Sequence, residues 1–224
     1  MTRLRSRVAA CLLACLPTLP ATAASQDYQL DPVHTRVMFA VEHAGFSKAI
    51  GTVSGSTGRL AFDPADWTTA RLEVSVPLQK LDLGDEKWNK AVLADNLLDT
   101  DDFPTATFVS TRVEPIDPQH ASVVGNLTLH GVTREVKLGV TLNALKRHPL
   151  PPFRRTAGFS ATTTLSRAEF GIDAWKSVIG DTIELRMEVE ATRARNSDAD
   201  ADATSDDAED SDLPDPATTP EPTP

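Results

Sequence analysis

Large apolar side chains recur at alternate positions through most of the chain between residues 28 and 191. In "VHTRVMFAVEH" one face carries Val33, Val37, Phe39, Val41 and His43, and the other His34, Arg36 and Glu42. "RLEVSVPL" sets Leu72, Val74, Val76 and Leu78 against Arg71, Glu73 and Ser75, and "TIELRMEVEA" sets Ile183, Leu185, Met187 and Val189 against acids and an arginine. In "AGFSATTTLSR" the apolar side is Ala157, Phe159, Ala161 and Leu165. A period of two is the mark of a strand with one oily face and one wet face. "GNLTLHGVTREVKLGVTL" reads as two strands joined at His130-Gly131, with Gly131 supplying the positive φ of a tight hairpin turn. With "KAIGTVSGSTGRLAF" and "TATFVSTRVEPI" the count is about eight strands, several separated by turn signals such as "DPAD", "DPQH" and "HPLPP".

One segment leaves this period. "GDEKWNKAVLADNLLD" has Asp85 as a cap, then Trp88, Val92 and Leu93 at helical spacing, so a short helical insert is expected near residues 85–98. "AEFGIDAWKSVIGD" fits a helical turn before the last strand. So little helix cannot cover eight one-sided strands, so the sheet must close into a barrel or split into a sandwich. Long strands joined in sequence favour an eight-stranded antiparallel up-and-down barrel, a size that just holds one ligand. The inward set is mainly Val, Leu, Ile, Met and Ala. Periodicity does not distinguish a loosely filled barrel from a solid core.

The two ends differ from this body. "MTRLRSRVAACLLACLPTLPATAAS" has Arg3, Arg5 and Arg7, a short apolar run from Val8 to Leu16, and small residues at Ala21, Ala23 and Ala24. The run is too short to span a bilayer, and the segment reads as an export signal over residues 1–24, with a lipoprotein variant through Cys15 as the lesser alternative. Residues 196–224 hold ten acids, no base and five prolines, the composition of a disordered tail. The whole chain has net charge −10, but leader and tail account for most of the imbalance, and residues 25–195 carry only −3. A nearly neutral body argues against nucleic acid as partner. Both cysteines, Cys11 and Cys15, fall in the leader, so the mature barrel has no disulfide or thiolate chemistry.

No catalytic motif stands out: there is no nucleophile elbow, phosphate-binding glycine loop, H-E-x-x-H or dinucleotide turn. His34 and His43 lie on opposite strand faces, and with His130 they lack a matching carboxylate set, so no metal site is expected. Asp101-Asp102 reads as a solvated loop, and Asn126 opens an isolated glycosylation sequon. The expectation is a binding protein and not an enzyme.

Several blocks then carry a resemblance: "DPVHTRVMFAVEHAGFSKAIGTVSG", "FDP", "FPTATFVSTRVE", "GNLTLHGVTREVKL" and "AGFSATTTLSRAEFGI". In this order they resemble the YceI-like polyisoprenoid-binding proteins, over roughly Tyr28 to Ala191. The resemblance implies a lipocalin-like antiparallel barrel, exported to the bacterial periplasm and holding an isoprenoid or similar long-chain lipid, with the helical insert helping to enclose it. It also implies a homodimer in many members, and a lipid carrier has reason to touch a membrane surface. The expected ligand-binding residues are Val37, Phe39, Val41 and His43 from the first strand, and Trp88, Val92, Leu97 and Leu98 from the insert. Phe103, Phe108, Leu129, Arg134, Val136, Leu138 and Phe159 complete the set. Where the family commonly writes Arg-Asp-x-His and then Phe-Phe-Asp, this chain has Trp88, Asn89, Lys90, Ala91 and then Leu97, Leu98, Asp99. Trp88 then supplies an apolar rim, and Lys87, Lys90 and Arg134 are the candidates to meet an anionic head group.

Overall fold

A computed structural model describes residues 25–195. The expected leader and acidic tail lie outside them. The described residues form eleven strands: β1 (Gln26–Leu30), β2 (Arg36–His43), β3 (Ser47–Ser54), β4 (Thr57–Phe62), β5 (Arg71–Pro77), β6 (Leu81–Asp82), β7 (Thr105–Pro115), β8 (His120–Leu129), β9 (Val132–Arg147), β10 (Arg155–Ser166) and β11 (Ile179–Arg193). Three pairs of short strands are single staves broken once. β1 and β2 flank residues 31–35, β3 and β4 flank Gly55-Ser56, and β5 and β6 flank a 3-10 turn at Leu78–Lys80. Every pairing is antiparallel between sequence neighbours, and β11 returns to pair with both β2 and β1. The result is a closed barrel of eight staves, as the periodicity predicts.

Local chemistry explains the breaks. Asp31 accepts hydrogen bonds from the backbone N–H groups of Val33 and His34, forming a turn that interrupts the ladder. Val33 is therefore not on the inner face with Val37 as its parity suggests; it lies in this turn and is exposed. At the β8–β9 hairpin Leu129 pairs with Val132, leaving His130 and Gly131 as a two-residue loop with positive φ at both positions (51° and 71°). Asp85 caps the helix α1 (Glu86–Leu93) by accepting from Lys87 and Trp88 N–H. The helix is shorter than its apolar spacing suggests. The Thr100 N–H and hydroxyl both bond back to Leu93 O, folding residues 94–100 into a turn against the helix end.

The barrel has two unlike ends. The 3-10 turn Trp67–Thr69 closes one, where Phe62, Trp67 and Phe159 pack edge to face at 5.1–6.4 Å between ring centroids. The other end holds the β2–β3 hairpin tip, α1 with residues 94–104, the His130-Gly131 turn and the 167–178 segment. No helix among the described residues is long and apolar enough to cross a membrane.

At the β1–β2 break the Asp31 carboxylate lies 2.7 Å from His34 Nδ1 and raises the imidazole pKa above its ordinary value. A raised histidine pKa stabilises the fold below the unfolded pKa, and that contribution fades as pH rises through the folded one. Asp31→Asn is expected to lower the His34 titration midpoint, read by NMR.

Candidate functional site

Between the aromatic floor and the open end the inward side chains leave a cavity of about 770 Å³. Its wall is mainly aliphatic, with Leu72, Val74, Leu127, Val140, Leu185 and Met187 among the lining residues. The barrel is thus not filled by its own core. Part of the reason is local. A Cβ on Gly51 would stand 2.4 Å from the Phe39 ring, and one on Gly125 would stand 2.5 Å from the Phe108 ring. Each phenylalanine ring lies against neighbouring glycine backbone, in space that a side chain at that glycine would otherwise take.

Of the residues expected to contact a ligand, Val37, Phe39, Val41 and His43 line the cavity from β2, as do Phe108, Leu129, Val136, Leu138 and Phe159 from the later staves. Trp88, Val92, Leu97 and Leu98 form the lip contributed by the insert, and the Trp88 ring sits 5.2 Å from that of His43. Two expected residues are elsewhere. Phe103 packs against the His130 ring at 4.9 Å and against Gly131, outside the lumen. Arg134 pairs with Leu127 as its position in the hairpin requires, yet its side chain is exposed and bonds Thr133 O. At the end of a stave a long cationic side chain bends out to water.

Sequence reasoning missed Arg167 and Trp175. Arg167 lies in the wall near the mouth, 5% exposed, and donates to three carbonyls: Ile172 O at 2.8 Å, Ile179 O at 2.9 Å and Gly180 O at 2.9 Å. It pins the 167–180 segment over the barrel end. Beside it Asp181 accepts from Ala168 N–H, and a hydrogen bond from Ser166 holds its carboxyl below the usual carboxylate range. The only hint in the sequence is a charged residue inside the apolar block "TLSRAEFGI".

Among the described residues no lining carboxylate or imidazole is hydrogen-bonded to a lining hydroxyl, the pairing that activates a nucleophile. Ligand atoms of Asp31, His34 and Glu190 approach within 4.8 Å of one another. They sit at the β1–β2 break, away from the mouth, and His34 there is already bonded to Asp31. The companions of His34 are thus carboxylates, not His43 and His130. The lumen wall offers few polar groups and suits apolar matter.

A family model described as the YceI-like domain matches residues 28–191. A UPF0312 protein of Shewanella baltica (strain OS195) is 31% identical over 176 residues, covering 78% of this chain and 91% of that protein. Another, from strain OS185, is 29% identical over 192 residues, covering 85% and 100%. Among solved structures, BcnA of Burkholderia cenocepacia superposes with a TM-score of 0.66 at 22% identity, over 73% of this chain and 99% of that one. A polyisoprenoid binding domain from Saccharophagus degradans gives 0.57 at 14% identity, over 75% and 98%. At these identities the structures share the fold.

Two substitutions test the construction of the site. Gly51→Ala is expected to push the Phe39 ring into the lumen, reducing uptake of an apolar fluorescent probe. Arg167→Met leaves three carbonyls without their donor, at roughly 1–3 kcal/mol for each one that stays buried. Its signature is faster hydrogen exchange confined to residues 167–180.

Proposed function

Because this chain belongs to the YceI-like domain family, we propose that it binds a long-chain apolar lipid of isoprenoid type inside the barrel and carries or sequesters it without chemical change. The observation that carries this reading is the unfilled aliphatic lumen of about 770 Å³ with one open end. A water-exposed void of that character returns free energy when hydrocarbon replaces water, about 0.8 kcal/mol per buried methylene. A dozen methylenes therefore contribute roughly 10 kcal/mol, enough to offset the loss of freedom on binding and leave useful affinity.

Depth limits the guest. From the floor pair Phe159–Val189 to the rim pair Leu165–Ile183 is six residues along β10. At about 3.3 Å per residue and a strand tilt near 40°, the lumen is roughly 15 Å deep. That is half the ~30 Å hydrocarbon thickness of a bilayer, the length of a chain in one leaflet. A single chain of leaflet length fits extended, and a longer one leaves its remainder outside. The Saccharophagus degradans domain that shares this fold is described as polyisoprenoid binding, which supports the same class of cargo here. Residues 1–24 read as an export signal, and the proposal places the carrier in the periplasm.

Lipid extraction of the purified protein followed by mass spectrometry tests the cargo directly, with one prenyl-type or similar chain per barrel expected. Finding no co-purifying lipid and no uptake of a polyprenyl or quinone probe would end the carrier reading. Ala161→Phe sharpens the test. Ala161 is 7% exposed in the cavity wall opposite Val140 and Met187, and a ring there should block uptake while circular dichroism still reports a folded barrel.

A further inference from the structure

Large aromatic side chains are few in this chain, with three Trp and eight Phe in all. Three of them stand exposed around the mouth of the barrel. Phe46, at the β2–β3 hairpin tip, is 93% exposed, Trp175 60% and Trp88 44%. They share one end of the molecule. Ala44 N–H bonds Val178 O at 2.6 Å, Val178 N–H bonds Trp175 O at 2.8 Å, and Trp88 faces His43 at 5.2 Å. Trp175 has a left-handed backbone (φ 57°), a conformation that a bulky residue adopts only where its surroundings impose it, and it both borders the cavity and remains exposed. Ile50, 61% exposed, extends the apolar surface along the outer face of the same hairpin. None of this area contributes to the core.

Charge varies along the rim of the mouth. The hairpin tip and the 173–178 loop carry Glu42, Lys48, Asp173 and Lys176, as many acids as bases, with Lys48 paired to Glu184 and Lys176 to Asp173. The adjoining insert, residues 82–102, which meets the hairpin through Trp88 and His43, carries seven carboxylates against Lys87 and Lys90. Indole and phenyl rings on a surface without net charge suit the interface of a bilayer, where an apolar body and a polar edge are both accommodated. An acidic surface suits water and is repelled by anionic lipid.

We infer that the hairpin tip and the 173–178 loop form a membrane-docking lip: Phe46 and Trp175 enter the headgroup region of a zwitterionic bilayer, and the carboxylates of the adjoining 82–102 insert stay in water. Docking in this way brings the open end of the lumen to the lipid, and Trp88 with His43 stands between bilayer and cavity. The surface does not depend on which lipid, or whether any lipid, occupies the lumen.

The test is partitioning of the purified protein onto phosphatidylcholine vesicles by co-sedimentation, alongside probe uptake in vesicle-free solution. Phe46 does not line the cavity, so Phe46→Ser should leave probe uptake unchanged. The double change Phe46→Ser with Trp175→Ser should weaken partitioning about tenfold or more, each buried aromatic being worth more than one decade in affinity. Ile116→Ser, at an exposed apolar residue of the far end, is the matched control and should have no effect. Replacing part of the phosphatidylcholine by phosphatidylglycerol should not strengthen binding. Wild-type partitioning that the double variant retains overturns the proposal. So does loss of a dimer in the double variant, by light scattering, with vesicle binding intact, because the aromatic lip would then be a self-association surface.

Discussion

β11 holds the ring together. Along one edge it carries β10 from the Thr156–Thr192 pair to the Ser166–Thr182 pair, and along the other it takes β2 and then β1. Closure through this stave leaves no open sheet edge between first and last strands, and it commits every second side chain to the interior. Once the ring is closed, only side-chain volume decides whether the interior is core or container. Aromatics fill the floor, and medium aliphatics leave the rest open.

The open portion is made as much by what is missing as by what is present. Phe39 and Phe108 are large enough to cross much of a narrow lumen, and both are drawn aside onto glycine backbone. The same arrangement ties stability to occupancy. Wall residues such as Leu138 and Val140 are partly buried and border the cavity, so an apolar guest adds packing on their open side. Arg167 works at the other extreme of polarity, using a buried cation to order the segment that borders the opening.

What could be read from the residues followed from local rules. Alternation located the staves, the His130-Gly131 pair set the hairpin register, and Asp85 marked the start of the helix. Tertiary contacts override the local pattern at three places. Val33 keeps the parity of its strand but belongs to the Asp31 turn, and the Thr100 bonds end the helix at Leu93. Phe103 looked like a liner and instead packs on a turn. Arg167 is illegible in the sequence because its three acceptors lie five to thirteen residues away, one in an aperiodic segment and two at the start of β11. The openness of the lumen was equally illegible, since the same aliphatic residues serve a solid core or a hollow one.

The Phe62, Trp67 and Phe159 floor makes the barrel a vessel with a sealed base rather than a tube. Whatever enters must back out through the same opening, so nothing can be threaded from one side to the other. Such a container has no built-in direction of traffic. Under the proposed carrier function, net flow would depend wholly on the difference in chemical potential between the site that fills it and the one that empties it.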